Sequence, residues 1–210
     1  MIKEYINNEN KLSREEWIGV IALTLVISGV FGWLYEVVFY FLNSGCKTWY
    51  MRGGNFLPFI NIYMHGAILI LLFGYKNRKH PLRVFLVSAL ATGILEFFSG
   101  YILYGVMGKV RCWSYNEEIW NWGNIGGYVC LRSVTFFGLS ALFLIYILVP
   151  LLMKLAKKVK NKKRFMIVSL VILGIFLIDE LYNLIFPKFG FPKASSFYKK
   201  LGFKYIYFNS

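Results

Sequence analysis

Apolar residues form five long runs in this chain, and short polar links separate the runs. The runs lie near residues 17–41, 56–74, 82–107, 133–153 and 165–186. At 1.5 Å of rise per helical residue, such runs are about long enough to cross a hydrocarbon core of roughly 30 Å. The pattern predicts an all-α fold, in which about five spanning helices form one polytopic transmembrane helical bundle.

Local signals refine the boundaries of these helices. Ser13 followed by Glu16 matches a capping box, so we expect the first helix to begin at Arg14. Pro58 lies just inside the second run, where the first helical turn tolerates proline. We divide the chain into a cytoplasmic amphipathic N-terminus (1–16), the helical bundle (17–186) with an outer loop (108–132), and a basic, aromatic, interfacial C-terminal tail (187–210).

The composition favours a membrane protein. Hydrophobic residues make up 58% of the chain and charged residues 16%, and the mean hydropathy is +0.54. These values lie outside the usual range of soluble domains. Because the links are short, we expect no separate catalytic domain, no cofactor and no nucleic-acid partner. Membrane lipids are the predicted surroundings.

The placement of the basic residues predicts an orientation. The formal net charge is +14, and much of it lies in the N-terminal segment and in two links, "YKNRKHPLR" and "KLAKKVKNKKR". If all five runs cross the membrane, these three segments share one face, which the positive-inside rule places in the cytoplasm. The sequence therefore predicts a multi-pass cell-membrane protein with a cytoplasmic N-terminus and an external C-terminus.

The longest link, 108–132, has the composition of a binding loop, with aromatic rings, acids, asparagines and glycines. Loops of this length are usually functional or disordered, and the tryptophans argue against disorder. Trp113, Tyr115 and Asn124 are its candidate site residues. Two placements stay open: the loop folds back over the outer mouth of the bundle, or it lies in the membrane interface as an aromatic belt.

Cysteines and sequence motifs give little sign of metal or nucleotide chemistry. Cys46, Cys112 and Cys130 all fall on the predicted outer side, where either one disulfide or three free thiols would fit. The sequence contains no metal-ligand spacing and no GxxxxGK[ST] loop. We therefore assign no metal ligand and no catalytic residue.

Four acids fall inside the predicted spans, where an unpaired charge near the centre costs about 2.5 to 3.5 kcal/mol. They are Glu36, Glu96, Asp179 and Glu180. Glu36 follows Gly32 and Glu96 follows Gly93 at helical spacing. Because small residues let helices approach closely, we expect both acids to face the bundle interior.

Partners for the buried acids can be named from the sequence. Arg52 and Arg132 border the outer ends of spans, and we expect Arg52 to pair with Glu36. For His65 we expect a hydrogen bond in the bundle interior. The full candidate set, as a ligand-binding or structural polar cluster, is Glu36, Arg52, Tyr63, His65, Glu96, Trp113, Tyr115, Asn124, Arg132 and Asp179. Helix packing, an outward ligand pocket and a proton relay all remain open as its role.

Six short motifs occur in one order between residues 29 and 150. They are "GWLYE" (32–36), "RGGNFLPFINIYMHGA" (52–67), "GILEFFSG" (93–100), "WSYN" (113–116), "NIGG" (124–127) and "FG…VP" (137–150). In these motifs the chain resembles the putative ABC-transporter type IV family, also described as CmpB-like putative ABC transporter permeases. It departs from the family pattern at Asn61, where a second proline is usual, and at Ser114, where the family has Asp. If that Asp belongs to a site, Glu117 or Glu118 would have to replace it.

The resemblance implies a permease-like transport subunit that works with a separate ATP-binding subunit. Five spans are few for a complete pathway, so a homo-oligomer or further subunits are also expected. Two alternatives stay open from the residues. One is a non-catalytic membrane binding or assembly protein. The other is an integral-membrane enzyme acting on a lipid or envelope precursor, with Glu96 as base and Arg52 or Arg111 binding phosphate. No nucleophile–base pair supports the enzyme, so we predict a non-enzymatic function.

Overall fold

The computed structural model describes Tyr5, residues 12–108 and residues 111–206. Within these residues four helices are long and apolar enough to cross a membrane. They cover Arg14–Asn43, Pro81–Val106, Leu131–Lys158 and Lys162–Phe189. Together with a shorter fifth helix they form one bundle, so the predicted all-α transmembrane fold is confirmed.

The helices and strands follow in chain order. They are α1 (Arg14–Asn43), β1 (Tyr50–Met51), α2 (Asn61–Leu69), α3 (Pro81–Gly100), α4 (Leu131–Phe143), α5 (Val149–Lys158), α6 (Lys162–Ile185), α7 (Ala194–Lys200) and β2 (Lys204–Tyr205). Three π-helical segments extend or join them at Ile70–Gly74, Tyr101–Val106 and Leu144–Leu148. Two 3₁₀ turns, Tyr75–Asn77 and Phe186–Phe189, end the second and the last long helical stretch. In the bundle, α1 packs against α2 and α6, and α3 packs against α4.

The second helical stretch is shorter than its apolar run predicted. We expected a span from residue 56, but α2 begins only at Asn61. The backbone N–H of Ile60 donates to the carbonyl oxygen of Gly29 at 3.1 Å, about halfway along α1. Helical residues 61–77 therefore extend for about 25 Å, and a non-helical segment, residues 52–60, occupies the bundle beside the second half of α1.

The end of the bundle at which α1 begins carries the basic links, and we call it the basic end. The predicted capping box is present, since Ser13 and Glu16 exchange side-chain-to-backbone hydrogen bonds. Glu16 also forms an ion pair with Lys162 at the start of α6, at 2.6 Å. Arg78, between α2 and α3, donates to the backbone oxygen of Tyr5. Most of the predicted segment 1–16, including Lys3 and Lys11, lies outside the described residues.

The hydrophobic core lies in the half of the bundle nearer the basic end. Its buried members come from every long helix and include Val20, Ala67, Val84, Ile145 and Phe165. Apolar packing therefore holds the helices together in this half. The other half contains a group of buried polar side chains, and these form the candidate site.

The opposite end of the bundle, the β1 end, receives the C-terminal tail. Strand β1 directly follows α1 and pairs in parallel with β2, with Tyr50 opposite Lys204. Tyr198 of α7 donates its hydroxyl to the backbone oxygen of Phe56 at 2.6 Å. The described tail therefore packs on the segment after α1, at the end of the bundle opposite to the start of α1. Residues 207–210 lie outside the described part of the predicted tail.

Candidate functional site: a buried polar cluster

Charged and hydroxyl side chains meet inside the β1 end of the bundle. We define the polar cluster as Glu36, Tyr40, Arg52, Tyr63, Glu96, Tyr115, Glu118 and Arg132. These side chains come from α1, α2, α3, α4, the segment after β1 and the loop before α4. Since carboxylates and guanidinium groups are rarely buried without a partner, each one needs an account of its contacts.

Glu36 and Arg52 form the expected ion pair. The guanidinium Nη2 and Nε atoms both lie 2.8 Å from Oε2 of Glu36. Arg52 also donates to the backbone oxygen of Cys112 at 2.8 Å and stacks over the ring of Tyr40 at 3.9 Å. Burial lowers the pKa of Arg52, but Glu36 and its other neighbours raise the pKa more, so the guanidinium stays charged. The Arg52 side chain is thus engaged inside the protein. The enzyme alternative would need this side chain, or that of Arg111, to bind a phosphate.

Glu118 and Arg132 form a second ion pair at the start of α4. Oε2 of Glu118 accepts a hydrogen bond from Nη2 of Arg132, and Oε1 accepts one from the hydroxyl of Tyr40. The guanidinium of Arg132 lies over the ring of Phe39 at 3.9 Å. Burial raises the pKa of the Glu118 carboxyl above its ordinary value, although the bonds from Tyr40 and Arg132 oppose the rise.

Glu96 is the third buried carboxylate of the polar cluster. It lies on α3 and is 5% exposed. Its Oε1 atom accepts a hydrogen bond from the hydroxyl of Tyr115. Ser133 is also beside it, but the serine hydroxyl donates to the backbone oxygen of Cys130 at 2.8 Å. Glu96 therefore has one bonded oxygen, and no described arginine or lysine forms an ion pair with it.

A cavity of about 30 Å³ lies inside the polar cluster. This volume admits about two water molecules. Three buried atoms of the polar cluster lack a hydrogen-bond partner among the described residues, namely Oε2 of Glu96 and Nε and Nη1 of Arg132. Both side chains line the cavity. The cavity walls therefore offer one acceptor atom and two donor atoms that the protein itself leaves unpaired, which is uncommon for buried polar atoms.

Gly32 makes room for the ring of Tyr63 in the polar cluster. A Cβ atom at Gly32 would lie 2.1 Å from the Cγ atom of Tyr63, so only glycine lets this ring lie against α1. From there the hydroxyl of Tyr63 donates to Oε1 of Glu36 at 3.2 Å. The prediction that Gly32 and Gly93 lie with Glu36 and Glu96 on faces toward the interior is confirmed, since both glycines lie against other helices.

The loop before α4 covers the polar cluster. Tyr115 and Glu118 reach down to Glu96 and Tyr40, and the backbone N–H of Ile119 donates to Oδ1 of Asn43 at 2.9 Å. Of the two placements left open by the sequence, folding back over the bundle is the one observed for residues 111–130. Trp120 and Trp122 nevertheless remain more than half exposed, as expected of interfacial aromatic residues. Residues 109 and 110 lie outside the described part of this loop.

The structure brings together most of the predicted site residues. Glu36, Tyr63, Glu96, Trp113, Tyr115 and Arg132 line the cavity, and Arg52 lies behind Glu36. Asn124 lies elsewhere and organises the loop, accepting from the backbone N–H of Gly127 and donating to Asn116. Asp179 lies on the far side of segment 52–60 and accepts hydrogen bonds from its backbone.

The expectation for His65 is wrong. Its side chain is exposed on α2, in the neighbourhood of Glu180, and has no hydrogen bond to any described residue. The reason is the position of His65 on the helix surface. Met64, Gly66 and Ala67 face the interior, and His65 points away from it.

Two members of the polar cluster were missing from the predicted set. Tyr40 lies four residues after Glu36, so helical spacing places both on one face of α1 and could have identified it. Glu118 was considered only as a replacement for an acid at Ser114. In the structure Glu118 is buried in the cluster, Glu117 is exposed, and Ser114 is buried in the loop.

Comparison with protein families decides the classification. A family model described as "Putative ABC-transporter type IV" matches residues 23–184. The chain belongs to this family. No curated protein and no solved structure matches the chain. Every member of the polar cluster falls within the residues that match the type IV family model.

Three cysteines and the acids complete the description of this half of the bundle. Cys46 and Cys112 are exposed, Cys130 is buried at the start of α4, and all three are free thiols. Among the described residues no group of three or more His, Cys, Asp or Glu side chains has the arrangement of a metal site. The polar cluster of this type IV family member consists of carboxylates, guanidinium groups and phenols.

Proposed function

We propose that this protein is the membrane-embedded, permease-like subunit of an ABC-type transporter, and that its polar cluster binds a small polar ligand from the outer side of the membrane. Membership of the type IV family and four apolar helices support the transporter component. The binding role rests on one observation. Glu96 and Arg132 present unpaired, buried hydrogen-bonding atoms to a shared cavity.

These unpaired atoms favour binding over a purely structural role. A buried donor or acceptor that is left unpaired costs about 1 to 3 kcal/mol, more for a charged group. A cluster that served only to fix helix packing would gain stability by pairing these atoms with neighbouring side chains. A ligand with both acceptor and donor atoms recovers the cost on binding, which gives the cavity a driving force for recognition.

The loop before α4 is the element that would open the site. At about 30 Å³ the cavity has room for little more than water, so a larger ligand requires the loop before α4 to move. Tyr115 and Glu118 hold this loop against the helices through side-chain hydrogen bonds. Ligand groups that compete with Tyr115 for Glu96, or with Glu118 for Arg132, would loosen this loop, so binding and opening are coupled in this proposal.

The orientation in the membrane follows from charge. The basic end carries Lys76, Lys79 and the link after α5, and the positive-inside rule then makes that end cytoplasmic. The polar cluster and the C-terminal tail would face the outside of a cell membrane. Exposed lysines and the rings of Phe189, Phe191 and Phe203 suit the tail to an anionic headgroup layer.

Co-purification tests the transporter assignment. The tagged full-length protein is extracted from its native membrane in mild detergent, and mass spectrometry identifies the proteins that accompany it. We expect a separate ATP-binding subunit in a fixed ratio, with one or more copies of this chain. Recovery of this chain alone, or only as a homo-oligomer, under conditions that preserve a known ABC complex would contradict the proposal and favour the binding or assembly alternative.

A further inference from the structure

An apolar groove runs down the membrane-facing surface between α1 and α4. Its volume is about 410 Å³, within the range typical of ligand pockets. The walls include Val38 and Leu42 of α1, Leu139 of α4, and Trp122 of the loop. All four side chains are exposed in the protein. A long, apolar ligand would therefore find a preformed site here.

The groove ends at the polar cluster. Tyr35, Phe39, Arg132 and Phe136 line both the groove and the cavity, so one wall of three rings and a guanidinium separates the two spaces. Arg132 is the charged residue in the groove lining. Its Nε and Nη1 atoms are the buried donors that have no partner among the described residues. The groove thus has an apolar body, and the guanidinium in the wall that it shares with the cavity carries buried donors without acceptor atoms.

The position of the groove matches one half of a lipid bilayer. Leu139 lies eight residues into α4, about 12 Å below Leu131 at a rise of 1.5 Å per residue. Trp120 and Trp122 border the groove near the start of α4, and tryptophan is enriched at membrane–water interfaces. An amphiphile with its headgroup near Arg132 would therefore place its chain at the depth of the hydrocarbon core.

We propose that this groove binds one acyl chain of a phospholipid, whose headgroup oxygens accept hydrogen bonds from Arg132. A hydroxyl or amine of the same headgroup would donate to the unpaired oxygen of Glu96 across the cavity. The inference names the ligand class of the polar cluster and therefore rests on the proposed binding role. It also explains why apolar and polar spaces share a wall.

A second groove on the same protein supplies the contrast. It lies between α3 and α4, has a volume of about 370 Å³, and is lined by apolar side chains such as Leu90, Ile94 and Phe98. No charged residue lines it. Ordinary bilayer lipid or a partner helix suits such a surface equally well. Of these two grooves in the described residues, the α1–α4 groove is the one with buried unpaired donors in its wall, and these donors favour a phosphate-bearing lipid over a helix.

Lipid retention by the full-length protein tests the proposal. Native mass spectrometry of the detergent-extracted protein measures the binding of phosphatidylglycerol and of diacylglycerol with the same acyl chains. We expect one phosphatidylglycerol per protomer and binding of diacylglycerol about tenfold weaker, because only the phospholipid has phosphate oxygens for Arg132. Equal binding of the two lipids would overturn the headgroup assignment. Glycerol phosphate that binds as tightly as the lipid would overturn the acyl-chain assignment.

Matched tryptophan substitutions locate the lipid. Leu139→Trp fills the α1–α4 groove, whereas Leu90→Trp makes the same change in the groove without a charged residue. Both leucines are exposed, so neither change disturbs the core. We expect Leu139→Trp to reduce phosphatidylglycerol binding about tenfold and Leu90→Trp to leave it unchanged. Equal effects of the two variants would overturn the proposal. So would a co-purifying protein that is bound by the wild type and lost in Leu139→Trp. Val38→Trp provides a second filling variant if Leu139→Trp does not fold.

Arg132→Lys separates the headgroup from the chain. Lysine keeps the positive charge beside Glu118 but loses the planar fork of donors. We expect this variant to lose the preference for phosphatidylglycerol over diacylglycerol. The co-purifying ATP-binding subunit is scored in the same preparation. Lipid retention without that subunit would leave the groove assignment standing and contradict the transporter. The reverse result would contradict only the groove assignment.

Discussion

The carboxylate of Asp179 accepts a hydrogen bond of 2.6 Å from the backbone N–H of Leu57, which lies 122 residues earlier in the chain. Its other oxygen accepts one from the N–H of Phe56 at 3.0 Å. Segment 52–60 is not helical, yet it lies inside the bundle. Irregular backbone at membrane depth is tolerated only where the protein satisfies its polar groups. The acid in α6 therefore holds this segment in place and is part of the fold.

Asp179→Asn should destabilise the protein. An asparagine offers one acceptor oxygen in place of two, so one of the two backbone N–H groups loses its partner. We expect a loss of about 1 to 3 kcal/mol in the free energy of unfolding, measured by denaturation in detergent. Glu180→Gln is the control, because this neighbouring acid accepts no hydrogen bond from residues 52–60. Equal losses in the two variants would show that Asp179 does not have this role.

Gly32→Ala should displace Tyr63 from Glu36. The new Cβ would lie 2.1 Å from the ring of Tyr63, too close for any Cβ contact, so the ring or the helix must move. We expect a loss of about 1 to 3 kcal/mol in stability, as for other overpacked sites. The control is Gly174→Ala in α6, where a Cβ meets nothing within 4 Å. That change should be neutral or should stabilise the helix by up to about 1 kcal/mol. A stable Gly32→Ala protein would contradict the close packing of α1 and α2.

The sequence predicted those contacts that the cost of buried charge dictates. Glu36 had to find a partner in an apolar run, and Arg52 was the nearest arginine on the predicted outer side, so the ion pair could be anticipated. The second ion pair depends on how the loop before α4 folds back, and no periodicity predicts such a path. Glu118 was therefore missing from the predicted set, although its eventual partner Arg132 was included.

The start of α2 shows a second limit of sequence analysis. Apolar residues from 56 onward resemble a spanning helix, but Asp179 accepts backbone hydrogen bonds that make a non-helical backbone stable there. Tertiary contacts thus overrode the local preference and delayed the helix to Asn61. His65 lies on the outward face of this helix, and the apolar run gave no sign of which face would be buried.

Acidic pH should increase the stability that Glu118 contributes to the folded protein. Burial raises the pKa of Glu118 in the folded protein above its unfolded value of about 4.5, so the folded state binds the proton more tightly. The stability from this group is therefore greatest below pH 4.5 and falls as pH rises through the folded pKa. We expect the melting temperature of the wild type to fall, relative to Glu118→Gln, over this range. A difference between the two proteins that does not change with pH would contradict a raised pKa.

Thiol labelling should report the orientation of the bundle. Cys46 and Cys112 are exposed near the β1 end, and Cys130 is buried. If that end faces outward, a membrane-impermeant maleimide should label Cys46 and Cys112 in intact cells, in variants that each retain one cysteine. Cys130 should react only after denaturation and serves as the internal control. Labelling of Cys46 only after the cells are broken would place the N-terminus outside.

Glu36→Gln and Glu96→Gln should separate packing from binding in the polar cluster. Glu36→Gln removes the charge that pairs with the buried guanidinium of Arg52, and breaking a buried pair costs about 3 to 5 kcal/mol. Glu96→Gln keeps an oxygen that can accept from Tyr115 and disturbs no ion pair of the described residues. We therefore expect Glu36→Gln to lower stability strongly and Glu96→Gln to change it little. Denaturation in detergent compares their stabilities.

Glu96→Gln should weaken ligand binding although it leaves stability almost unchanged. Glu96 lines the cavity and one of its oxygens is unpaired, so its exchange for an amide removes an acceptor and the negative charge without loosening the helices. Phosphatidylglycerol binding should therefore weaken in Glu96→Gln while its melting temperature stays close to that of the wild type. A Glu96→Gln protein that is strongly destabilised, or that binds the lipid as the wild type does, would mean that Glu96 supports packing alone.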